Sequence, residues 1–124
     1  MATPNINDSS KNITGYHQGL ALTTTEQTLL NNAAGSGKLM RVAGIYMSNV
    51  DGSSPATVTA KVYNQDDLGG TGFHLAYDMP VAAQTTLLII DKNAPIYLRE
   101  DQSIGIVASA ASDLEAIIVY EEIS

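Results

Sequence analysis

The side chains that most often carry chemistry are few in this sequence and stand far apart. The chain has two histidines, His17 and His74, and no cysteine. A catalytic histidine works beside a nucleophile and an orienting acid, or among metal ligands, and neither residue has such a pattern around it. His74 falls on the outward face of a predicted strand, where it is an ordinary surface residue. The sequence therefore predicts no enzyme, no catalytic residue, no metal site and no cofactor.

Two glycine-rich stretches bear a partial likeness to phosphate-binding loops. In Gly35-Ser-Gly-Lys38 the positions that need a glycine and a Ser or Thr hold Asn32 and Leu39, and a strand pattern follows where a helix should begin. Gly69-Gly-Thr-Gly72 has no later glycine at the dinucleotide spacing. Both stretches are predicted to be turns.

Acidic side chains collect at the predicted turns. They are Asp51, Asp66, Asp67, Glu100, Asp101 and Asp113. Carboxylates from loops at one end of a sandwich can converge on calcium, which takes six to eight oxygens. None of these loops has regular alternate-residue ligand spacing, and aspartate is a favoured turn former in its own right. We predict solvated turns, with calcium as the unfavoured alternative.

The six tyrosines are the remaining candidates for recognition. They occupy positions 16, 46, 63, 77, 97 and 120. Tyrosines can stack on sugars, but the chain has no tryptophan, and most of these positions suit rings that pack in a core or on a sheet face. Carbohydrate binding is retained as an alternative function.

Composition limits the classes of partner. A chain of 124 residues is expected to form one domain. Its formal net charge is -7 and its six Lys and Arg residues are scattered, which argues against nucleic acid, since binding to phosphates needs clustered basic side chains. The longest aliphatic run, Leu87 to Ile90, is far too short to cross a membrane. The first residues lack the basic start of a secretory signal.

The elements that must position any site are predicted to be strands. Short apolar or alternating runs recur between turn residues, and no helical period is present. The predicted strands are 20–25, 27–30, 38–50, 56–63, 73–79, 85–90, 96–98, 103–109 and 114–122. This pattern predicts an all-β fold, a single antiparallel β-sandwich of eight or nine strands, jelly-roll-like, with an immunoglobulin-like sandwich as the alternative.

The N-terminal segment differs from the rest of the chain. Residues 1–15 are polar, with Ile6 and Ile13 as their large branched apolar side chains. Such a segment buries too little to offset its ordering entropy. We predict a flexible arm over 1–15, either simply disordered or ordered on a partner surface, and a β-sandwich domain over 16–124.

Segment 38–50 is the clearest pointer to a partner. Read with a period of two, one face carries Leu39, Ala43, Ile45 and Met47, and the other carries Met40, Val42, Tyr46 and Val50. Segment 85–90 is also apolar on both faces. Excess apolar strand surface is usually buried in an oligomer or on a partner. The predicted partner interface comprises Ile6, Ile13, Tyr16, Met40, Val42, Tyr46 and Leu88.

Several stretches resemble small virion proteins of tailed bacteriophages. These are Ile45-Tyr-Met-Ser-Asn-Val-Asp-Gly52 with Ala56-Thr-Val-Thr59, Pro95 to Ile104, Ala108 to Asp113, and Val119 to Ile123. The similarity covers about residues 18–123 and rests on strand and turn patterns that carry no chemistry. The chain resembles the type of virion protein that decorates or cements the outside of a capsid. Related modules occur on phage tails and necks.

The resemblance implies a role for this chain. Such proteins bind across capsomer junctions, often as homotrimers, and hold the shell against the pressure of internal DNA. The implied partners are the major capsid protein and copies of the chain itself. The implied location is the outer capsid surface of a virion, after synthesis in the host cytoplasm. The alternative is a tail or neck accessory protein, or a receptor-binding jelly roll that recognises carbohydrate.

Overall fold

The structure, a computed structural model, describes residues 12–124. Within this range the fold is all-β and contains no helix. The strands are β1 (Ile13–Ala21), β2 (Gln27–Asn32), β3 (Leu39–Asn49), β4 (Ala56–Tyr63), β5 (Gly72–Val81), β6 (Thr86–Ile90), β7 (Ile96–Leu98), β8 (Gln102–Ala108) and β9 (Leu114–Ile123).

The strands form two antiparallel sheets that pack face to face. Sheet A has the order β1-β9-β3-β6, and β7 also pairs with β3. Sheet B has the order β2-β8-β4-β5. Because β6 and β7 pair with successive parts of β3, the nine strands fill eight positions. This order is that of a jelly roll, so the predicted sandwich is confirmed and the jelly-roll form describes its topology.

The core is formed by alternate residues of the central strands. In β4, Ala56, Val58 and Ala60 are buried while the intervening Thr57 and Thr59 are half-exposed. β9 shows the same alternation, with Leu114 and Ile118 fully buried, whereas β8 is buried continuously from Ser103 to Ile106. A period of two places successive side chains on opposite faces of a sheet, so the sequence pattern predicts these inward faces directly.

Strand β3 departs from simple alternation because it contains a β-bulge. Its register with β9 shifts between Val42, opposite Tyr120, and Gly44, opposite Val119. The extra residue reverses the faces, so Met40 and Val42 before the bulge and Ile45 and Met47 after it all point into the core. Two of the residues predicted for a second apolar face, Met40 and Val42, therefore lie inside this protein.

The first strand begins earlier than its pattern predicts. β1 starts at Ile13, and residues 22–25, the end of the strand predicted over 20–25, lie in the loop 22–26. β1 is exposed along nearly its whole length, so it has no buried face to give it a hydrophobic alternation. The arm predicted over 1–15 falls mainly on residues 1–11, which lie outside the described residues.

Two buried asparagines tie the sheets together at strand ends. Asn32, at the end of β2, donates to the carbonyls of Lys38 and Leu98 at 2.9 and 3.0 Å. Asn49, at the end of β3, donates to the carbonyls of Ser54 and Val81 at 3.0 and 2.9 Å. Each amide satisfies a buried polar group and joins one sheet to a strand of the other.

Candidate interaction surface

The outer face of sheet A is built from residues that the strand register brings into rows. Tyr46 of β3 lies between Ile117 of β9 and Leu88 of β6. Gly19 of β1 lies on the far side of Ile117. The row therefore crosses all four positions of the sheet and carries three large apolar side chains.

These three side chains are open to solvent. Tyr46, Ile117 and Leu88 are 40%, 43% and 44% exposed. Single exposed apolar residues are common on proteins, but three adjacent ones form a contiguous patch, which makes this face a candidate interaction surface. We call Tyr46, Leu88 and Ile117 the apolar row.

Shallow depressions flank the apolar row on both sides. One is lined at the β1 side by Gly19, Leu20, Ala21, Ser48, Glu115, Ala116 and Ile117. The other is lined by Ala43, Tyr46, Leu88, Asp91, Lys92, Asn93 and Val119. Both are open and lack a convergent set of acids or bases, so they suit protruding side chains of a partner better than a reacting substrate.

One ion pair lies on this outer face, beside the apolar row. Arg41 donates to the Glu121 carboxylate at 2.9 Å. Arg41 lies opposite Tyr97 of β7, and Glu121 is two residues from Val119 on β9. Glu115 lies at the margin, next to Ser48. Burial of this whole face would therefore desolvate one ion pair and the Glu115 carboxylate.

The predicted interface residues divide between surface and core. Tyr46 and Leu88 lie on the apolar row, and Ile13 is exposed at the start of β1. Tyr16 is partly exposed and stacks on Tyr120, with ring centroids 5.5 Å apart. Met40 and Val42 are in the core, as shown above, and Ile6 lies outside the described residues.

Ile117 was missing from the sequence prediction. β9 alternates apolar residues on both faces, and Ile117 is indistinguishable in sequence from Ile118, which is fully buried. The acidic residues of β9 could have identified Ile117. With a period of two, Ile117 shares a face with Glu115 and Glu121, and these carboxylates mark that face as outward.

The two histidines are separated by the fold. His17 lies on β1 of sheet A and His74 on β5 of sheet B, where it packs edge-on against Tyr77 at 4.9 Å. Among residues 12–124 no three His, Asp or Glu side chains are grouped as metal ligands. The same range contains no helix that could span a membrane.

The carboxylates at the turns cap backbone groups. Asp66 accepts from the Ala34 amide at 3.0 Å, and Asp101 accepts from the Asp66 amide at 3.1 Å. Asp51 accepts from the amides of Ser53 and Ser54, which lowers its pKa. The pKa of Asp113 is raised by desolvation and by the neighbouring Asp51 charge. These contacts fit the predicted role of aspartate in turns.

The outer face of sheet B is covered in part by its own chain. Tyr63 of β4 is buried there, and its hydroxyl donates to the Glu26 carboxylate, whose two oxygens lie 2.9 and 2.7 Å away. Burial, then the hydrogen bond to Glu26, raises the pKa of Tyr63 to about 12. Beside it the fully buried Ser103 accepts from the Leu68 amide at 2.9 Å and donates to the Gln65 carbonyl at 2.8 Å.

Comparison with known proteins yields similar folds rather than relatives. No protein-family model matches the sequence, and no curated protein matches it. A chain of Bacillus endospore appendages, which form a family of disulfide-linked pili, superposes with a TM-score of 0.52 at 13% identity, over 92% of this chain and 88% of that one.

A second similar fold comes from a virus. A mutant VP2 protein of infectious bursal disease virus, in derived T=1 particles, matches with a TM-score of 0.51 at 13% identity. The match covers 93% of this chain but 32% of VP2, so this chain spans about a third of that protein. At these identities both similarities concern the fold, and they agree with the jelly-roll sandwich described above.

Proposed function

We propose that this protein is a non-enzymatic structural subunit of a virus particle, which decorates and stabilises a bacteriophage capsid. The observation that carries the proposal is the apolar row Tyr46, Leu88 and Ile117, exposed on adjacent strands of sheet A. In this role the outer face of sheet A packs on the major capsid protein or on a neighbouring copy at a capsomer junction. The resemblance to phage virion proteins supports this choice of partner, and the jelly-roll fold is compatible with it.

The physical basis of such stabilisation is preferential binding to the assembled shell. A protein that binds the lattice and not its free subunits stabilises the lattice by its difference in affinity. Burial of apolar surface contributes about 25 cal/mol per Å², so burial of a few hundred Å² contributes several kcal/mol before the costs of association. Because many copies bind one shell, modest affinity per copy is sufficient.

The experiment compares the apolar row with exposed apolar residues on the other sheet. The test variant is Tyr46→Ser with Ile117→Ser, and the matched control is Phe73→Ser with Tyr77→Ser on β5, where both side chains are also exposed. Each protein is added to capsids assembled without it. Bound copies are counted, and the release of DNA on heating is measured.

We expect the control to bind and protect the capsids as the unchanged protein does. The test variant should lose at least tenfold in affinity, because two side chains of the buried patch are removed. Equal binding by the two variants would contradict docking through sheet A. Capsids that resist heat equally well without the protein would contradict the stabilising role. Binding to glycans together with location on the tail would favour the carbohydrate-binding alternative.

A further inference from the structure

Strand β1 leaves a long, regular hydrogen-bonding edge on sheet A. All nine of its residues, Ile13 to Ala21, face successive residues of β9 without a register shift. Asn12 and Ser124 exchange two backbone hydrogen bonds of 2.9 and 3.0 Å, and the Leu22 amide donates to Leu114 at 2.9 Å. In an antiparallel ladder hydrogen-bonded pairs alternate, so the even-numbered residues bond to β9.

The odd-numbered residues therefore direct their backbone groups away from the sheet. The backbone N–H and C=O groups on this edge belong to Ile13, Gly15, His17, Gly19 and Ala21. Within residues 12–124, no other backbone segment hydrogen-bonds to these five residues outside the ladder with β9. Such a row of free donors and acceptors is a template for another strand.

The other sheet edges of the described fold have the features that block strand addition. β5 has two register shifts, a positive φ of 46° at Asp78, and Pro80 near its end. β2 has six residues and a register shift. The opposite edge of sheet A is divided between β6 and β7, of five and three residues. Bulges, proline and short length are the usual protections of an edge, and β1 has none of them.

The glycines of β1 have no role in the packing of the described fold. A methyl group added at Gly15 would meet no atom within 4 Å, and one at Gly19 would meet the Ala116 carbonyl at 3.7 Å, an ordinary contact. Neither glycine has a positive φ. Glycine weakens a strand, and in a strand it often marks the close approach of another backbone. At both positions it leaves the free edge unobstructed.

We infer that β1 pairs with β1 of a second copy of this chain, antiparallel across a two-fold axis at His17. In this register residue 15 lies opposite residue 19 of the second copy, and residue 13 opposite residue 21, so each free N–H and C=O gains a partner. We choose a second copy as the partner because a strand that pairs along all of β1 must be as long and as regular as β1. Among the described edge strands, only β1 itself meets this condition. Antiparallel pairing is also the more stable form per residue.

This pairing joins two sheets A into one continuous sheet. The apolar rows of both copies then lie on a single outer face, which doubles the surface proposed above to dock on a capsid. The pairing does not depend on that function. It predicts a dimer in the free protein, whereas the phage resemblance implies a trimer.

The experiment uses the two histidines as a matched pair on two edge strands. His17→Lys places a lysine on β1 opposite its own copy, and His74→Lys makes the same change on β5. His17→Pro removes an N–H that faces the free edge and leaves the bonds from β1 to β9 intact. The mass of each full-length variant is measured by sedimentation over a range of concentrations, and amide hydrogen exchange is measured residue by residue.

We expect the unchanged protein and His74→Lys to form dimers, and both His17 variants to dimerise at least tenfold more weakly, since like charges meet or two hydrogen bonds are lost. In the dimer the odd amides from 13 to 21 should exchange slowly, and they should exchange fast on dilution. A trimer, dimerisation unaffected by both His17 variants, or slow exchange that is independent of concentration would overturn the inference. The last result would indicate that the edge is covered within one chain.

A second comparison separates this inference from the proposed function. Tyr46→Ser with Ile117→Ser should leave the dimer intact, because the edge pairing uses backbone groups of β1 and these side chains lie on the outer face of sheet A. A protein that dimerises through β1 but binds no capsid would contradict the proposed function and leave the edge pairing standing.

Discussion

The outer faces of the two sheets differ in how much of their surface the chain itself occupies. On sheet B, the Tyr63 hydroxyl donates to Glu26, and the Leu68 amide donates to the Ser103 hydroxyl. The loops that carry Glu26 and Leu68 therefore lie against the strands. On sheet A, the central residues Tyr46 and Ile117 remain exposed. Both faces belong to the same sandwich and share one core. The difference indicates that the part of sheet B around Tyr63 and Ser103 has a structural role, whereas the centre of the outer face of sheet A is uncovered by the described chain.

The largest difference between the faces should come from one serine on each. Ser103→Ala removes the partner of the Leu68 amide and of the Gln65 carbonyl, and should lower the free energy of unfolding by about 2 kcal/mol. Ser48→Ala, on sheet A, removes an exposed hydroxyl contact of 3.1 Å with Thr86. It should change the free energy of unfolding by less than about 0.5 kcal/mol. Urea denaturation measures both. Equal losses would show that the loop over sheet B is not held by Ser103.

A smaller effect, with a pH dependence, is expected at Tyr63. Tyr63→Phe should lower the free energy of unfolding by about 1 kcal/mol at neutral pH, because the hydrogen bond to Glu26 is lost. In the unchanged protein the folded phenol keeps its proton until pH about 12, whereas the unfolded phenol loses it near 10. Unfolding is therefore favoured as pH rises from 10 to 12, and stability falls in this window.

Tyr63→Phe should lack the part of the stability loss between pH 10 and 12 that comes from ionisation of Tyr63. Thermal unfolding from pH 8 to 12 tests the sign, with Tyr46→Phe on sheet A as the control for removal of a partly exposed hydroxyl. If Tyr63→Phe and the unchanged protein lose stability in parallel above pH 10, burial does not hold the Tyr63 proton.

Two glycines should respond in opposite directions to the same substitution. Gly105→Ala on sheet B places a methyl group 2.7 Å from a Glu26 oxygen and 2.9 Å from Leu68, so it should displace both side chains and destabilise the fold by about 1 kcal/mol. Gly15→Ala on sheet A adds a methyl group that has no atom within 4 Å. It should stabilise the fold by about 0.5 kcal/mol, since alanine restricts the unfolded chain. Melting temperatures that shift in the same direction would contradict the proposed difference between the faces.

The smallest effect on folding is expected at the apolar row itself. Ile117→Thr should change the free energy of unfolding by no more than about 0.5 kcal/mol, because the side chain is exposed and threonine keeps the strand preference. Denaturation of the free protein tests this value. A loss above 2 kcal/mol would show that Ile117 supports the monomer rather than a partner surface.

Most of the fold could be predicted from the sequence, because alternation and turn residues are local signals. The pattern in β4 predicts its inward face, and Asp51-Gly52 predicts the reversal that follows β3. β1 was harder to predict, since an edge strand exposed on both sides carries little alternation. Of the residues predicted for the partner interface, Tyr46 and Leu88 lie at the surface, whereas Met40 and Val42 are core residues.

Sequence alone determined that the chain is an all-β, acidic protein with too few grouped reactive side chains to predict an enzyme. Its alternating runs dictate strands because a period of two places apolar side chains on one face. Tertiary structure decided which apolar residues remain outside. The bulge between Val42 and Gly44 turns Met40 and Val42 before it, and Ile45 and Met47 after it, into the core. The register of the strands places Tyr46, Leu88 and Ile117 in one exposed row. Both features depend on which residue of a neighbouring strand lies opposite, and that pairing joins positions far apart in the chain.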